Sequence, residues 1–218
     1  MIIDLPKHNS SEPYIISEHM KIEDGILKLK FPYSLRNAMY IITYEIKGKH
    51  KCFYCKNEIS NNKVTLDHIF PQDFGGPTIP NNLEPCCATC NQQKSNMTKQ
   101  QYKKFLSLSR ADQKHYLKDL QCVFEFIHKW YGFSLPEDWV VEKEIDNIIV
   151  NISLLDNYKG PKYDKVKEFY KKYKQFQRPL VVDRKNFLLD GFTTLMYAKN
   201  HNIQKVPVIV LENVEMTF

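Results

Sequence analysis

Apolar residues along the chain follow two clear periodicities near its start. Residues 20–31 alternate between apolar and polar on both sides of Asp24-Gly25, a pattern that predicts a β-hairpin. Residues 35–46 instead repeat apolar side chains every three or four positions, which is typical of an amphipathic helix. Ser34 is suited to begin this helix, and Gly48 is suited to end it. The first segment is therefore predicted to be a hairpin followed by a helix.

The downstream pattern predicts four helices and then a small unit of alternating strands and helix. The predicted helices are residues 98–108, 109–131, 137–155 and 162–177. The final unit has predicted strands at 179–183, 188–191 and 206–211 and a helix at 193–201. In the second helix, one apolar stripe is predicted to be buried: Tyr116, Leu117, Leu120, Phe124, Ile127 and Tyr131.

Composition excludes several classes of protein. A hydrophobic fraction of 43% is that of a globular chain and not of a disordered one. No apolar run approaches the roughly 18 residues of a membrane span, and the start lacks the pattern of a secretory signal. We therefore expect a cytoplasmic protein without a membrane partner. In a reducing compartment, six cysteines indicate metal binding or catalysis and not a disulfide framework.

The formal net charge of +6 is unevenly distributed. Residues 47–104 have nine basic and four acidic side chains, and residues 158–178 have eight basic and two acidic ones. Between them, residues 136–157 have one basic and six acidic side chains. Two basic segments are thus separated by an acidic one, and each is either a solvated face or a surface for an anionic partner.

Two Cys-x-x-Cys pairs predict a structural metal site. They are Cys52-Phe-Tyr-Cys55 and Cys87-Ala-Thr-Cys90. Each tight turn can present two thiolates, and four thiolates complete the closed tetrahedral site of structural Zn²⁺. Buried or redox-active cysteines are the alternative. Cys86 has a wider spacing to Cys90, and Cys122 is predicted to be buried in its helix, so neither is assigned as a ligand.

Between the two pairs lies a set of polar residues that can carry hydrolytic chemistry. Asp67-His68 ends the β-like run 64–66, and Gly75-Gly76, Asn82 and Asn91 follow. Adjacent strand residues point to opposite faces, so Asp67 and His68 can serve different partners, one a metal and one a water.

With the two cysteine pairs, these residues resemble the zinc-containing HNH endonucleases, in an H-N-N variant. The resemblance covers about residues 49–97 and implies a ββα-metal core. It implies that His68 is the general base, that Asn82 holds the His68 loop and orients the imidazole, and that Asn91 fills the third motif position. It further implies that Asp67 and Asn91 ligate a catalytic divalent ion, Mg²⁺ or Mn²⁺, and that Lys94 lies near the phosphate.

Residues 179–212 resemble the core of the ParB/sulfiredoxin-like fold. The sequence departs from that family at the loop 190–194, which lacks His and Arg, so nucleotide hydrolysis there is not expected. The basic helix 162–177 precedes this unit. Its face with Lys165, Lys171 and Lys172 is predicted to contact phosphates of nucleic acid.

The predicted fold class is α+β, with four segments. They are a hairpin and helix at 1–48, the nuclease core at 49–100, a helical region at 101–157, and the ParB-like α/β unit at 158–218. The predicted function is divalent-metal-dependent hydrolysis of phosphodiester bonds in DNA, which is expected to be double-stranded. Two alternatives remain open: a zinc-stabilised module that binds nucleic acid without cutting it, and a nuclease directed at RNA. The pattern does not indicate an oligomeric state.

Overall fold

The structure, a computed structural model, describes residues 1–8, 12–31, 33–48, 50–60, 63–151 and 160–217. It is a mixed α+β fold, as predicted. The strands are β1 Tyr14–Ser17, β2 Met20–Glu23, β3 Ile26–Lys30, β4 Val64–His68, β5 Leu83–Cys87, β6 Val141–Glu144, β7 Leu180–Asp183, β8 Leu188–Asp190, β9 Lys205–Leu211 and β10 Val214–Thr217. The α-helices are α1 Leu35–Lys47, α2 Ala88–Lys94, α3 Lys99–Ser107, α4 Arg110–Trp130, α5 Pro161–Tyr173 and α6 Phe192–Asn200.

The described strands form three sheets. The first has the order β1-β2-β3-β10, in which β10 runs parallel to β3 and the other pairs are antiparallel. The second is the antiparallel pair β4-β5. The third has the order β6-β9-β7-β8, in which β7 and β9 are parallel. Because β9 and β10 are consecutive but lie in different sheets, the end of the chain connects the first sheet to the third.

The sheets cross the boundaries between the four predicted segments. Strand β10 pairs with β3 near the start of the chain, and β6 adds an edge to the third sheet. One apolar core joins these parts, since Leu29, Met39, Leu83 and Ile209 all belong to it. The β4-β5 pair is thus fixed on α1, where Lys47 Nζ also donates a 2.7 Å hydrogen bond to the Leu83 carbonyl.

Several local predictions are confirmed. The 20–31 hairpin is β2-β3, and α1 runs between Ser34 and Gly48. Thr98 caps α3 in a complete capping box, and the Ser109 side chain accepts from the Asp112 amide at the start of α4. These helices begin where predicted because a hydroxyl satisfies otherwise unpaired amides.

Other predictions are wrong. Instead of a helix over 137–155, the structure has two 3-10 turns and the short strand β6; residues 152–159 lie outside the described part. Val141 and its neighbours pair with β9 instead, in register with Val208. Helix α5 ends four residues early, because Lys174 takes a left-handed conformation with φ 58°.

Helix α4 buries a narrower face than its apolar stripe predicts. Leu120 is its buried residue, while Leu117 is 47% and Tyr131 61% exposed. Cys122, predicted to be buried, is exposed. It lies two positions after Leu120, and residues two apart on a helix do not share a face.

Candidate active site and metal centre

Strands β4 and β5 and helix α2 form a strand–strand–helix unit around the predicted site. The strands pair antiparallel, with Asp67 opposite Glu84 and His68 opposite Leu83. Helix α2 begins directly after β5. Asp67 near the end of β4 is therefore held against Lys94 of α2, and Asn91, one turn earlier on α2, contacts Thr65 of β4. This is the ββα arrangement predicted from the sequence.

The two Cys-x-x-Cys pairs meet at one point. The sulfur atoms of Cys52, Cys55, Cys87 and Cys90 all lie within 4.8 Å of one another. Zn–S bonds of about 2.3 Å place tetrahedral ligands about 3.8 Å apart, so a small contraction of this cluster accommodates the ion. The donor set therefore fits structural Zn²⁺.

Cys52 in the cluster and Cys86 beside it differ in acidity. Burial raises the pKa of the Cys52 thiol, but backbone amide donors, that of Cys87 first, outweigh it and bring the pKa down to about 7. Burial raises the pKa of Cys86 to about 12. Cys86 is outside the cluster of four and its sulfur lies 3.4 Å from the Thr65 hydroxyl. It is a buried core residue.

Asp67 is buried and receives two hydrogen bonds from side chains. Lys94 Nζ donates to Oδ1 at 3.0 Å, and the Tyr54 hydroxyl donates to Oδ2 at 2.5 Å. Burial raises the pKa of Asp67, against the opposing effects of Lys94 and Tyr54. Lys94 is itself fully buried and also donates to the His68 carbonyl at 2.7 Å. Its ammonium is thus engaged inside the unit and is not presented to a phosphate, contrary to the sequence-based expectation.

His68 is held in its neutral form. Burial first, and then the positive charges of Arg178, Lys94 and Arg36, lower the pKa of the imidazole to about 4. The Nε2 atom lies 3.0 Å from the Thr78 hydroxyl and 3.2 Å from the Gln72 amide nitrogen. Both groups can donate, so these contacts suit an Nε2 that carries no proton.

Asn82 organises the loop that follows His68. This fully buried side chain accepts from the Phe70 amide at 2.8 Å and donates to the carbonyls of Phe70 and Pro77 at 3.1 and 2.9 Å. It thereby joins the two sides of the loop that follows His68. Within the described hydrogen bonds, however, the ring of His68 is contacted by Thr78 and Gln72 and not by Asn82.

A cavity of about 320 Å³ brings three predicted residues together. Asp67, His68 and Asn91 all line it. The Asn91 side-chain nitrogen donates to the Thr65 hydroxyl at 3.2 Å, which fixes the amide toward β4. A carboxylate, an amide and a neutral imidazole around one cavity can bind a hard divalent cation and accept a proton from water.

The cavity also has residues that the sequence did not single out. Arg36 reaches it from α1, and Gln72 and Asp73 reach it from the loop after His68. Gln72 and Asp73 lie within the motif region, where polar loop residues can be recognised from the sequence as candidate site residues. Arg36 has no such signal, because only the packing of α1 on β5 brings it to the site.

The three lysines predicted to bind nucleic acid lie in different surroundings. Lys165 lines a cavity of about 690 Å³ beside α6. Lys171 lies 3.9 Å from Glu168, and Lys172 Nζ is 4.7 Å from the centre of the Tyr173 ring. Of these three lysines, Lys165 is the one that lines one of the described cavities.

The sequence of this unit matches a known family. Residues 52–107 match the model of a family described as HNH endonuclease. The match spans 56 of the 218 residues, so the HNH similarity describes the ββα unit with α3 and not the whole chain. It includes the four cysteines, Asp67, His68, Asn82 and Asn91.

Comparison with solved structures gives weaker likenesses. Two matching chains are titled "Structure of the C2221 form of Pnob8-like ParB-N domain" and "Structure of the pNOB8-like ParB N-domain". Each is 18% identical over 33% of this chain, with TM-scores of 0.29 and 0.28. This chain spans 28% and 26% of their lengths, and likenesses this small carry no argument about function. No curated protein matches this sequence. Among the described helices, none is long and apolar enough to cross a bilayer.

Proposed function

We propose that this protein is a divalent-metal-dependent endonuclease that hydrolyses phosphodiester bonds in double-stranded DNA. The observation that carries the proposal is the cavity shared by Asp67, His68 and Asn91 within the segment that matches the HNH endonuclease family. The neutral state of His68 supports its role as general base, because only the unprotonated imidazole can accept a proton from water.

The proposed reaction proceeds by attack of water on phosphorus. His68 accepts a proton from the water, a new P–O bond forms, and the P–O3′ bond breaks. The leaving oxygen takes up a proton, so the products have a 3′-hydroxyl and a 5′-phosphate. Asp67 and Asn91 would hold Mg²⁺ or Mn²⁺, which stabilises the negative charge that develops on the phosphate oxygens.

The cysteine cluster is proposed to have a structural role. The four thiols leave no open position for water or substrate on a tetrahedral Zn²⁺. The ion would connect the start of the ββα unit to α2, which contains both Asn91 and Lys94. Zinc in this position would hold the reactive residues in place without touching the substrate.

The test is cleavage of supercoiled plasmid in Mg²⁺ or Mn²⁺ by the unchanged protein and by a His68→Ala variant. We expect nicked or linear DNA with 3′-hydroxyl and 5′-phosphate ends from the first and no product from the second, with equal zinc content in both. Equal cleavage by both proteins would overturn the role of His68. An RNA transcript assayed in parallel distinguishes the RNA-directed alternative, and binding without cleavage of either polymer identifies the non-catalytic one.

A further inference from the structure

The motif predicts that Lys94 lies near the phosphate of the substrate, but in the structure its ammonium group contacts other groups of the protein. Its Nζ atom contacts Asp67 Oδ1 and the His68 carbonyl, and the residue is fully buried. Lys94 is also absent from the residues that line the catalytic cavity. Among the described residues that line this cavity, no lysine or arginine comes from the HNH-like segment, so a polyanionic substrate there would meet positive charge from other parts of the chain.

Positive side chains from two other parts of the chain border the cavity. Arg36 comes from α1 and lines the catalytic cavity itself. Arg178 comes from the segment between α5 and β7, and its guanidinium lies 3.9 Å from Asp73, which is also on the cavity wall. The Arg178 side chain is 45% exposed, so it is accessible to a ligand while it remains near the site.

Adjoining cavities connect these residues into one groove. The catalytic cavity shares Arg36 and Gln72 with a second cavity of about 520 Å³. The second cavity shares Arg178 and Lys162 with a third of about 690 Å³. The third cavity also contains Lys165. The basic groove, defined as Arg36, Arg178, Lys162 and Lys165, therefore leads from the catalytic residues to helix α5.

The charge of the groove suits a phosphate backbone. Four cations face three carboxylates, Asp67, Asp73 and Asp190, along the three cavities, and Asp67 is already paired with Lys94. Among the ion pairs of the described residues, Arg36, Lys162 and Lys165 take part in none. Arg36 instead directs its guanidinium nitrogens to the Tyr40 hydroxyl at 3.1 and 3.2 Å. These cations are free to neutralise phosphates.

We propose that the basic groove binds the sugar-phosphate backbone of the nucleic acid on one side of the scissile bond. The position of the scissile bond follows from the proposed function, and the inference rests on that function to this extent. It places the substrate-binding cations in the N-terminal and C-terminal parts of the chain. The complete nuclease site is thus composite, with reactive groups from the HNH-like segment and phosphate contacts from elsewhere.

The test measures binding of a fluorescent DNA duplex to the full chain at several salt concentrations, without added divalent ion. Each lost phosphate contact lowers the slope of log K against log salt by about 0.9. We expect a decrease of about 1 for Arg36→Gln, about 1 for Arg178→Gln and about 2 for the double variant Lys162→Gln, Lys165→Gln. An unchanged slope in Arg178→Gln would overturn the proposal.

The same helix provides a matched control. A Lys171→Gln, Lys172→Gln variant removes an equal charge from α5 outside the groove, so the groove predicts an unchanged slope. If that variant loses as much slope as Lys162→Gln, Lys165→Gln, binding follows the net charge of α5 and the groove is not a specific surface.

Asp73→Asn separates binding from a purely structural role of Arg178. It breaks the same ion pair, but it removes negative charge from the cavity wall and should leave affinity equal or increased. Equal losses of affinity in Asp73→Asn and Arg178→Gln would show that the pair only fixes the loop, and would overturn the proposal. The result is independent of cleavage: if the expected slopes appear while plasmid stays intact, the proposed function fails and the groove stands.

Discussion

The Nζ atom of Lys94 lies 3.0 Å from Oδ1 of Asp67, and both side chains are buried. The pair joins α2 to β4, the two elements that hold the candidate site. It also places a positive charge beside the carboxylate that is proposed to ligate a divalent ion. Such an ion would therefore share Asp67 with Lys94, and the pair would contribute both to folding and to the electrostatics of the site.

Replacing Lys94 should destabilise the protein strongly. Lys94→Met leaves the Asp67 carboxylate buried without its counter-charge, and such a loss costs about 3–5 kcal/mol of unfolding free energy. Urea unfolding of both proteins measures the difference. The control is the double variant Asp67→Asn, Lys94→Met, which removes both charges and should recover part of the loss. A Lys94→Met protein as stable as the unchanged one would show that the pair does not stabilise the fold.

Loss of one zinc ligand should unfold the ββα unit. Cys55→Ser removes a sulfur from the cluster of four, and small metal-stapled units depend on the ion for folding. We expect zinc content to fall from about one ion per chain to nearly zero, together with a lower melting temperature and faster amide exchange over residues 52–107. Cys122→Ser, at an exposed thiol outside the cluster, is the control and should change neither. Unchanged melting after complete zinc removal would contradict the structural role.

A methyl group at Gly76 should disturb the loop that holds His68. A Cβ atom there would lie 1.8 Å from the carbonyl oxygen of Phe70, a backbone atom that cannot move without the loop. Overpacking of this kind costs about 1–3 kcal/mol. Because Asn82 and Thr78 depend on the same loop, Gly76→Ala should also reduce plasmid cleavage while zinc content is kept.

Gly25→Ala is the comparison for this change. The added atom meets nothing within 4 Å, although the residue has φ +71°, so it should cost about 1 kcal/mol and leave cleavage intact. If Gly76→Ala cleaves as well as Gly25→Ala, the loop tolerates the methyl group and does not control His68.

The sequence predicted the parts of this site that depend on short spacing. Two Cys-x-x-Cys turns, an Asp67-His68 pair at the end of a strand and a capped helix at Thr98 are each determined by a few neighbouring residues. Strand β10 was not predicted, because its partner β3 lies nearly the whole chain away and no local pattern specifies that pairing. Arg36 and Arg178 were missed for the same reason: tertiary packing alone brings them beside His68. Cys122 was misjudged because an apolar stripe does not reveal which part of a helix the core covers.

Stability should depend on pH through His68. Burial first, and then Arg178, Lys94 and Arg36, lower its pKa to about 4 in the folded protein, against about 6.5 in an unfolded chain. Between these values the unfolded state binds a proton that the folded state does not. Stability should therefore be unaffected by His68 above about pH 7 and should fall as pH decreases, by at most about 1.4 kcal/mol per pH unit. Urea unfolding at pH 5 and pH 7.5 measures this change.

The control is His68→Gln, which lacks the titrating imidazole. The difference in pH dependence between the two proteins therefore isolates the contribution of His68 from that of the Asp and Glu carboxylates. Identical pH dependence in both proteins would mean that the pKa of His68 is the same in the folded and unfolded states, and would contradict the lowered pKa.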